Sequence, residues 1–329
     1  MVKRLVQRRG KNPPLPIRDG LNASRVRLPL DSTPVTAREF VDHLIASQRH
    51  RHIDDDQKAL DARFLAGEVV DNLGRAIGPE EVLEPGTDIW FYRVPAEEPH
   101  VPFECVILHR DDNLLVVDKP SYLATMPRGR HITETALVRM RRQTGIQQLS
   151  PAHRLDRLTS GVLVFTARPE VRGAYQTLFA RREAMKTYRA IADFDADLVP
   201  HEEPIVWESR MEKTPGYIKG EIVPGEPNAR TLLVSAEPVD DADQARLEAI
   251  HGPLPRQGHY VLKPETGKTH QLRLHMWAAG VPILGDPVYP RVYSEEEEDM
   301  SVPMHLNAWE LSFTDPLSGE QRTFRSGLI

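Results

Sequence analysis

The sequence predicts an α+β protein whose main domain has a mixed, mostly antiparallel sheet, preceded by a small N-terminal α+β module. Apolar runs of strand length alternate with segments of helical periodicity along the 329 residues. A proline-rich stretch at 94–102 separates the two parts, because proline lacks a backbone donor and is excluded from helix interiors and central strands. We therefore predict a module at residues 1–95 and a larger domain at residues 96–329.

The N-terminal module is basic, since residues 1–52 hold eleven basic and four acidic side chains. Thr36 and Glu39 form a capping-box pattern that predicts the start of a helix. Two strands and a second helix complete the module, with the helix at 57–66 and the strands at 68–71 and 88–92. Such a module is suited to binding RNA. The same pattern would also fit a lid or an oligomerisation element.

The larger domain begins with a buried-strand run at 113–118, which Pro120 ends. The continuous apolar run at 161–167 is typical of a strand covered on both faces. The remaining predicted elements are helices at 134–143, 169–182 and 270–279, strands at 187–194 and 259–263, and a hairpin formed by 306–313 and 321–325.

Charge is unevenly distributed along a chain of net charge −6. Residues 127–189 hold thirteen basic and four acidic side chains, whereas residues 193–250 hold five basic and fourteen acidic ones. This distribution is typical of a protein with a basic surface that binds a phosphate backbone and an acidic surface that faces solvent. Two solvated surfaces of an ordinary enzyme would give the same distribution. The acidic run 294–299 predicts a solvated loop. The single Cys105 excludes an internal disulfide, and with no apolar run of membrane length we expect a cytoplasmic monomer without a membrane partner.

Several familiar kinds of site are excluded by spacing. Gly267 is followed by Lys268 and Thr269, but Leu262 stands where a phosphate-binding loop needs a glycine. No dinucleotide-binding glycine pattern follows a strand. His270 and His275 are five residues apart, which places them about 140° apart on a helix and prevents them from sharing a metal ion. We expect neither a metal nor another cofactor.

The segment His153–Gly161 is the strongest candidate for a site, because charged residues there directly precede the most apolar strand. Asp156 stands between Arg154 and Arg157, and neighbouring cations favour an ionised carboxylate that serves as nucleophile or base. A structural ion pair that ties the loop to the domain would give the same pattern.

This segment, HRLDRLTSG, resembles the signature of the RluA-type pseudouridine synthases. Other elements of that family follow in its order across residues 105–329, namely Asp118-Lys119-Pro120, Lys186–Ala190, Gly267–His275 and Val281–Asp286. The joint order of these elements is far more specific than any one of them. The N-terminal module is loosely similar to the S4-type RNA-binding domain of many members, chiefly around residues 83–88.

The resemblance implies isomerisation of uridine to pseudouridine within structured RNA, ribosomal or transfer, without a cofactor. Asp156 matches the catalytic aspartate, which either attacks C1′ or removes the C2′ proton. Arg273 matches the arginine that pairs with this carboxylate, and Tyr188 the tyrosine that packs on the target uracil. Arg154 matches the residue that fills the gap left by the flipped nucleotide. Supporting RNA contacts are expected from Arg157, Thr159, Thr269 and Gln271.

Two alternatives remain at this point. One is a non-catalytic RNA-binding or RNA-folding protein on the same scaffold. The other is a hydrolase of free nucleosides or nucleotides, which would normally need a second carboxylate to activate water. The HRLD element offers one carboxylate, and the next acid along the chain is Glu170 on the following helix.

Overall fold

The computed structural model describes residues 13–214, 216–293 and 298–328. Within it the chain forms two compact units. One comprises the described residues up to Pro99 with the segments Pro127–Thr133 and Arg141–Gln147, and the other comprises the remainder. The division into independent domains after residue 95 stays a prediction, since the first unit also takes segments from further along the chain. Residues 1–12 of the basic arm lie outside the described residues.

The first unit contains two short antiparallel strand pairs and two helices. They are β1 (Ser24–Arg27), β2 (Val35–Thr36), α1 (Ala37–Ala46), α2 (Gln57–Leu65), β3 (Val82–Leu83) and β4 (Asp88–Phe91), with β1 paired to β4 and β2 to β3. The capping box of Thr36 and Glu39 is confirmed at the start of α1. The strand predicted at 68–71 is wrong, because Val70 makes only isolated bridges to Ala76 and Trp90.

The rest of the chain builds one large sheet with four helices. The elements are β5 (Val106–Arg110), β6 (Leu114–Lys119), α3 (Ala136–Thr144), β7 (Ser150–Pro151), β8 (Ser160–Thr166), α4 (Arg172–Ala180), β9 (Met185–Asp193), β10 (Ile205–Glu212), β11 (Glu221–Val223), β12 (Ala229–Pro238), α5 (Asp241–His251), β13 (Gln257–Pro264), α6 (Gln271–Ala278), β14 (Leu306–Thr314) and β15 (Gln321–Arg325).

The strands of this sheet lie in the order β11-β10-β12-β13-β9-β14-β8-β6-β5, with β15 beside β14 and β7 beside β8. In the described residues every pairing is antiparallel except that of β14 with β8. The predicted α+β class with a mixed, mostly antiparallel sheet is therefore confirmed, as is the C-terminal hairpin of β14 and β15.

The predicted helices differ in their bounds from those of the structure, including 134–143, which is α3 at Ala136–Thr144. The helix predicted at 169–182 is a 3₁₀ turn at Pro169–Val171 followed by α4. The helix predicted at 270–279 begins one residue later, because His270 has a left-handed backbone with φ of 58° and only caps α6.

The strands β8 and β14 approach so closely that only glycine fits between them. Gly161 has φ of 110°, and a Cβ atom added there would lie 2.4 Å from the carbonyl oxygen of Ala308. A side chain at this position would push the two strands apart. The close contact fixes the loop that precedes β8 against the start of β14.

Across the described ranges, no helix combines the length and the apolar character that crossing a membrane requires.

Candidate active site

The sheet brings Asp156 and Tyr188 to the same place. Asn307 at the start of β14 lies opposite Ser160 of β8 on one side and Arg189 of β9 on the other. The Asp156 loop directly precedes β8, and Tyr188 directly precedes Arg189 within β9, so both residues lie near the start of β14. Burial raises the pKa of Tyr188, and the nearby charge of Asp156 raises it further.

The backbone of the Asp156 loop is held by hydroxyl groups of the preceding segment. Thr125 Oγ1 donates to the carbonyl of Leu155 at 2.7 Å and accepts from its N–H at 3.1 Å. Ser121 Oγ donates to the carbonyl of Leu158 at 2.6 Å. The loop is therefore fixed on both sides of Asp156, which preorganises the carboxylate.

Lys119 lies fully buried beneath this loop. Its Nζ donates to the carbonyls of Pro120 (2.8 Å), Leu123 (2.7 Å) and Arg157 (3.1 Å). Burial lowers the pKa of Lys119 to about 7, and the charge of Asp156 opposes that shift. Because an ammonium has three N–H donors and each one finds a carbonyl, the geometry favours the protonated form.

Arg273 is paired with Asp286, not with Asp156, so the predicted pairing is wrong. Its Nε and Nη2 donate to the two carboxylate oxygens at 2.7 and 2.6 Å, and both side chains are buried. Asp286 also accepts backbone N–H bonds from Val288 (2.8 Å) and Tyr289 (3.1 Å). A carboxylate that presents both oxygens to the guanidinium fork is the better partner.

The turn that carries Asp286 is itself fixed in position. Gly285 has φ of 75°, and a Cβ atom there would lie 2.3 Å from the carbonyl oxygen of Pro303. The N–H of His305 also donates to the carbonyl of Leu284 at 2.9 Å. The chain before Asp286 and the chain before β14 are therefore in backbone contact.

A second arginine beside Asp156 also has its own carboxylate. Both Nη atoms of Arg157 donate to Glu298, one of them at 2.8 Å. The side chains are 18% and 13% exposed. The prediction of a solvated loop is therefore wrong at Glu298, while residues 294–297 lie outside the described residues. Sequence reasoning could not find this pair, because its members are 141 residues apart.

The segment after Glu298 is anchored separately from its side chain. The hydroxyl of Tyr122 lies 2.8 Å from the carbonyl of Asp299 and 2.6 Å from that of Val302. The Arg157 guanidinium stands 5.8 Å from the centre of the Tyr122 ring. Tyr122 therefore supports both the segment and the arginine.

These groups line a cavity of about 670 Å³, a size typical of ligand sites. Asp156, Arg157, Arg273 and Asp286 all contribute to its wall. Among the described residues the half-buried Asp156 side chain makes no hydrogen bond or ion pair. The carboxylate at the centre of the site is thus the one left free for chemistry, while both arginines are neutralised by other acids.

His270 is a cavity residue that sequence reasoning did not assign. Its Nδ1 lies 3.1 Å from the hydroxyl of Tyr289. Burial lowers the pKa of His270 to about 4, with a further contribution from the charge of Arg273. The imidazole is therefore neutral at pH 7. The signal available in the sequence was its position between Thr269 and Gln271 in the Gly267–His275 element.

The other predicted RNA contacts divide into exposed and buried residues. Arg154 and Thr269 are exposed, and in the described part of the chain Arg154 makes no ion pair. Thr159 is buried, and its N–H donates to the carbonyl of Asp156 at 3.1 Å. The predicted RNA contact of Thr159 is therefore wrong, because burial gives this residue the role of shaping the loop.

Gln271 is also buried, and its amide is fully occupied within the protein. Its Nε2 donates to Thr231 Oγ1 and the carbonyl of Arg230, each at 2.9 Å. Its Oε1 accepts from Thr266 Oγ1 at 2.7 Å and from the N–H of Lys268 at 3.1 Å. The predicted RNA contact of Gln271 is therefore wrong, and the residue attaches α6 to β12.

Comparison with known proteins agrees with this geometry. Residues 113–278 match the family model described as RNA pseudouridylate synthase. The chain is 32% identical over 238 residues to the dual-specificity RNA pseudouridine synthase RluA of Haemophilus influenzae. The aligned region covers 70% of this chain and 95% of that protein. The Escherichia coli K12 protein of the same name is 32% identical over 235 residues, with the same coverage. Human RNA pseudouridylate synthase domain containing 1 shares the fold, with a TM-score of 0.50 and 22% identity over 70% of this chain and 86% of that one.

The matched region includes the strands β6 to β13 and the loop of Asp156, and it defines an RNA-modifying isomerase. More narrowly, the chain belongs to the RluA-type RNA pseudouridine synthases, as the sequence predicted. Its partner is RNA, and nothing in the comparisons supports the non-catalytic alternative.

Proposed function

We propose that Asp156 is the catalytic carboxylate of uridine isomerisation, that Tyr188 and Arg273 act with it, and that the substrate is a structured ribosomal or transfer RNA. The observation that carries this proposal is the unpaired Asp156 carboxylate in the cavity wall, on a loop held by Thr125 and Lys119. Cytoplasmic location and a monomeric state belong to the same proposal.

The reaction breaks the bond from C1′ to N1 of the uracil, forms a bond from C1′ to C5, and in sum moves the C5 proton to N1, so that product and substrate are isomers. Asp156 begins it by attacking C1′ or by taking the C2′ proton. Tyr188 keeps its own proton at neutral pH, because its pKa is raised, and it supports the uracil by stacking. Arg273, whose guanidinium is fixed by Asp286, lines the same cavity wall as Asp156 and is proposed to act with it.

The state of the other carboxylates favours isomerisation over hydrolysis. A hydrolase needs a base to activate water. Asp286 and Glu298 also line the cavity, but each is already engaged by both nitrogens of an arginine fork. Two further acids of the wall, Asp193 and Asp299, accept hydrogen bonds from Gln257 and Ser301. Among the described acids of the wall, Asp156 is the one without a hydrogen bond or ion pair, and the proposal assigns it to the sugar.

Arg154 is proposed to enter the RNA stack when the target nucleotide is flipped, since it is exposed and free of an ion pair in the described part of the chain. Thr269 is proposed to contact RNA from the exposed turn before α6. The two bacterial relatives named above are called dual-specificity RNA pseudouridine synthases, which supports testing more than one class of RNA.

The proposal is tested by carbodiimide mapping of pseudouridine in total RNA from cells lacking the gene, complemented with wild type or Asp156→Ala. We expect a modified uridine to return with wild type only, and purified Asp156→Ala to bind RNA within a few fold of wild type. Glu170→Ala, which alters the next acid along the chain, is the matched control and should restore the site. If Asp156→Ala restores the modification, the assignment of Asp156 is wrong.

A further inference from the structure

The Arg157–Glu298 pair places an anion beside the catalytic loop. Arg157 follows Asp156 in the chain, and both residues line the cavity together with Glu298. The two carboxylate oxygens of Glu298 accept from the two Nη atoms of Arg157. The pair therefore lies where the backbone of a bound nucleotide must pass.

The guanidinium fork does not distinguish a carboxylate from a phosphodiester, because both present two oxygens in a plane at matching spacing. A uridine whose C1′ reaches Asp156 brings two phosphodiesters within one nucleotide of that carboxylate. Arg157 is the cation that follows Asp156 in the chain and shares its cavity wall, whereas Arg273 is bound to Asp286 and buried.

Resting on the proposed function, we propose that Arg157 is the subsite for a phosphodiester next to the target uridine, and that Glu298 occupies this subsite in the free protein. RNA then binds by exchanging its phosphate for the Glu298 carboxylate. An RNA that presents no phosphate at this point leaves the Arg157–Glu298 pair intact and gains nothing from it. The exchange selects nucleotides that have entered the cavity over RNA bound at the surface.

The structure permits this exchange without rearrangement of the surrounding chain. Tyr122 holds the backbone carbonyls of Asp299 and Val302, so the Glu298 side chain can turn away while its segment stays in place. The Arg157 side chain is 18% exposed, against 4% for Arg273. The Arg157 loop is held through its backbone, where the carbonyl accepts from Lys119.

The test compares Glu298→Gln, Arg157→Gln and the double variant, with Asp299→Asn as the matched control. Asp299 is the neighbouring acid, and its carboxylate bonds only within its own turn to Ser301. The probe is fragmented, end-labelled total RNA from cells lacking the gene. Affinity is measured by filter binding, kcat and KM by pseudouridine formation, and folding by thermal melting.

We expect Glu298→Gln to lower Kd and KM on the order of fivefold with kcat unchanged, which corresponds to one partly buried ion pair. Arg157→Gln should raise both Kd and KM. The double variant should have the same Kd and KM as Arg157→Gln alone. Asp299→Asn should change neither.

Three results would overturn the proposal. If Glu298→Gln and Asp299→Asn lowered Kd equally, and if Glu298→Gln still did so in the Arg157→Gln background, the effect would be general repulsion between acidic side chains and RNA. If Glu298→Gln lowered kcat and left Kd unchanged, the Arg157–Glu298 pair would serve to position the catalytic loop. A failure of Glu298→Gln to tighten binding while it folds normally would remove the subsite. Failure of the proposed function is distinguishable, because wild type would then form no pseudouridine even though the affinities still respond.

Discussion

Two arginine–carboxylate pairs line the cavity together with Asp156, and they differ in how completely the protein encloses them. In the inner pair, Arg273 and Asp286 are 4% and 0% exposed, and the carboxylate also accepts two backbone N–H bonds. In the outer pair, Arg157 and Glu298 are 18% and 13% exposed. The same chemical contact is thus fixed in one region and exchangeable in the other.

The difference shows that ion pairing alone does not define a residue's role in this site. The inner pair joins a helix to a tight turn, and breaking it leaves a buried charge. The outer pair joins a loop to a surface segment, and a substrate anion can replace the carboxylate. The enzyme therefore keeps Asp156 free by neutralising its neighbours in two ways, one permanent and one reversible.

The largest effect is expected from breaking the inner pair. Asp286→Asn keeps the side-chain shape but leaves the Arg273 charge without a counterion, which should cost about 3–5 kcal/mol of unfolding free energy and abolish turnover. Urea denaturation checks the stability. Replacing both partners, as Arg273→Met with Asp286→Leu, should recover part of the stability but none of the activity. An unchanged urea midpoint for Asp286→Asn would contradict the view that the inner pair is structural.

The burial that fixes the inner region also keeps its histidines neutral, and this gives a pH dependence. Burial lowers the pKa of His270, His275 and His305 to about 4 each. Between pH 6.5 and 4 the unfolded chain binds protons that the folded protein does not, so stability falls as pH falls through this window. We expect each histidine to contribute on the order of 1–3 kcal/mol.

The measurement is urea denaturation at pH 7, 6, 5 and 4.5, for wild type and His275→Gln. The variant should lose less stability than wild type on acidification, because it has one fewer group to protonate. Parallel pH curves for the two proteins would show that His275 titrates normally in the folded state.

The smallest effect is expected from the outer pair. Glu298→Gln should lower the unfolding free energy by about 1 kcal/mol or less, and the difference from wild type should shrink in high salt, which screens partly exposed charges. Urea denaturation at low and high salt checks this. A loss as large as that of Asp286→Asn would erase the distinction between the two pairs.

The sequence predicted the sheet class, several of the elements and the loop of Asp156, because those depend on local periodicity and on a contiguous motif. It predicted neither α5 nor the strands β10, β11 and β12. It did not predict the ion partners. Arg273 was assigned to Asp156, yet a carboxylate 13 residues away in a tight turn holds it. Glu298 was read as solvated, because a charge run in sequence carries no sign of a distant arginine. Gln271 was assigned to RNA from its position in the motif. That position does not reveal that the side chain is buried against the neighbouring strand.

The contact between Gly285 and Pro303 has a consequence for how such enzymes diverge. The backbones before and after the segment between these residues touch each other at Gly285 and Pro303. Lengthening or shortening a loop whose ends adjoin changes the free energy of folding only slightly, because the entropy lost on closing the loop grows slowly with its length. Exchanging residues 291–302 for the corresponding residues of other family members would therefore also exchange Glu298 and the outer pair. Substrate choice would then be rewritten while Asp286 and the sheet beneath it remain unchanged.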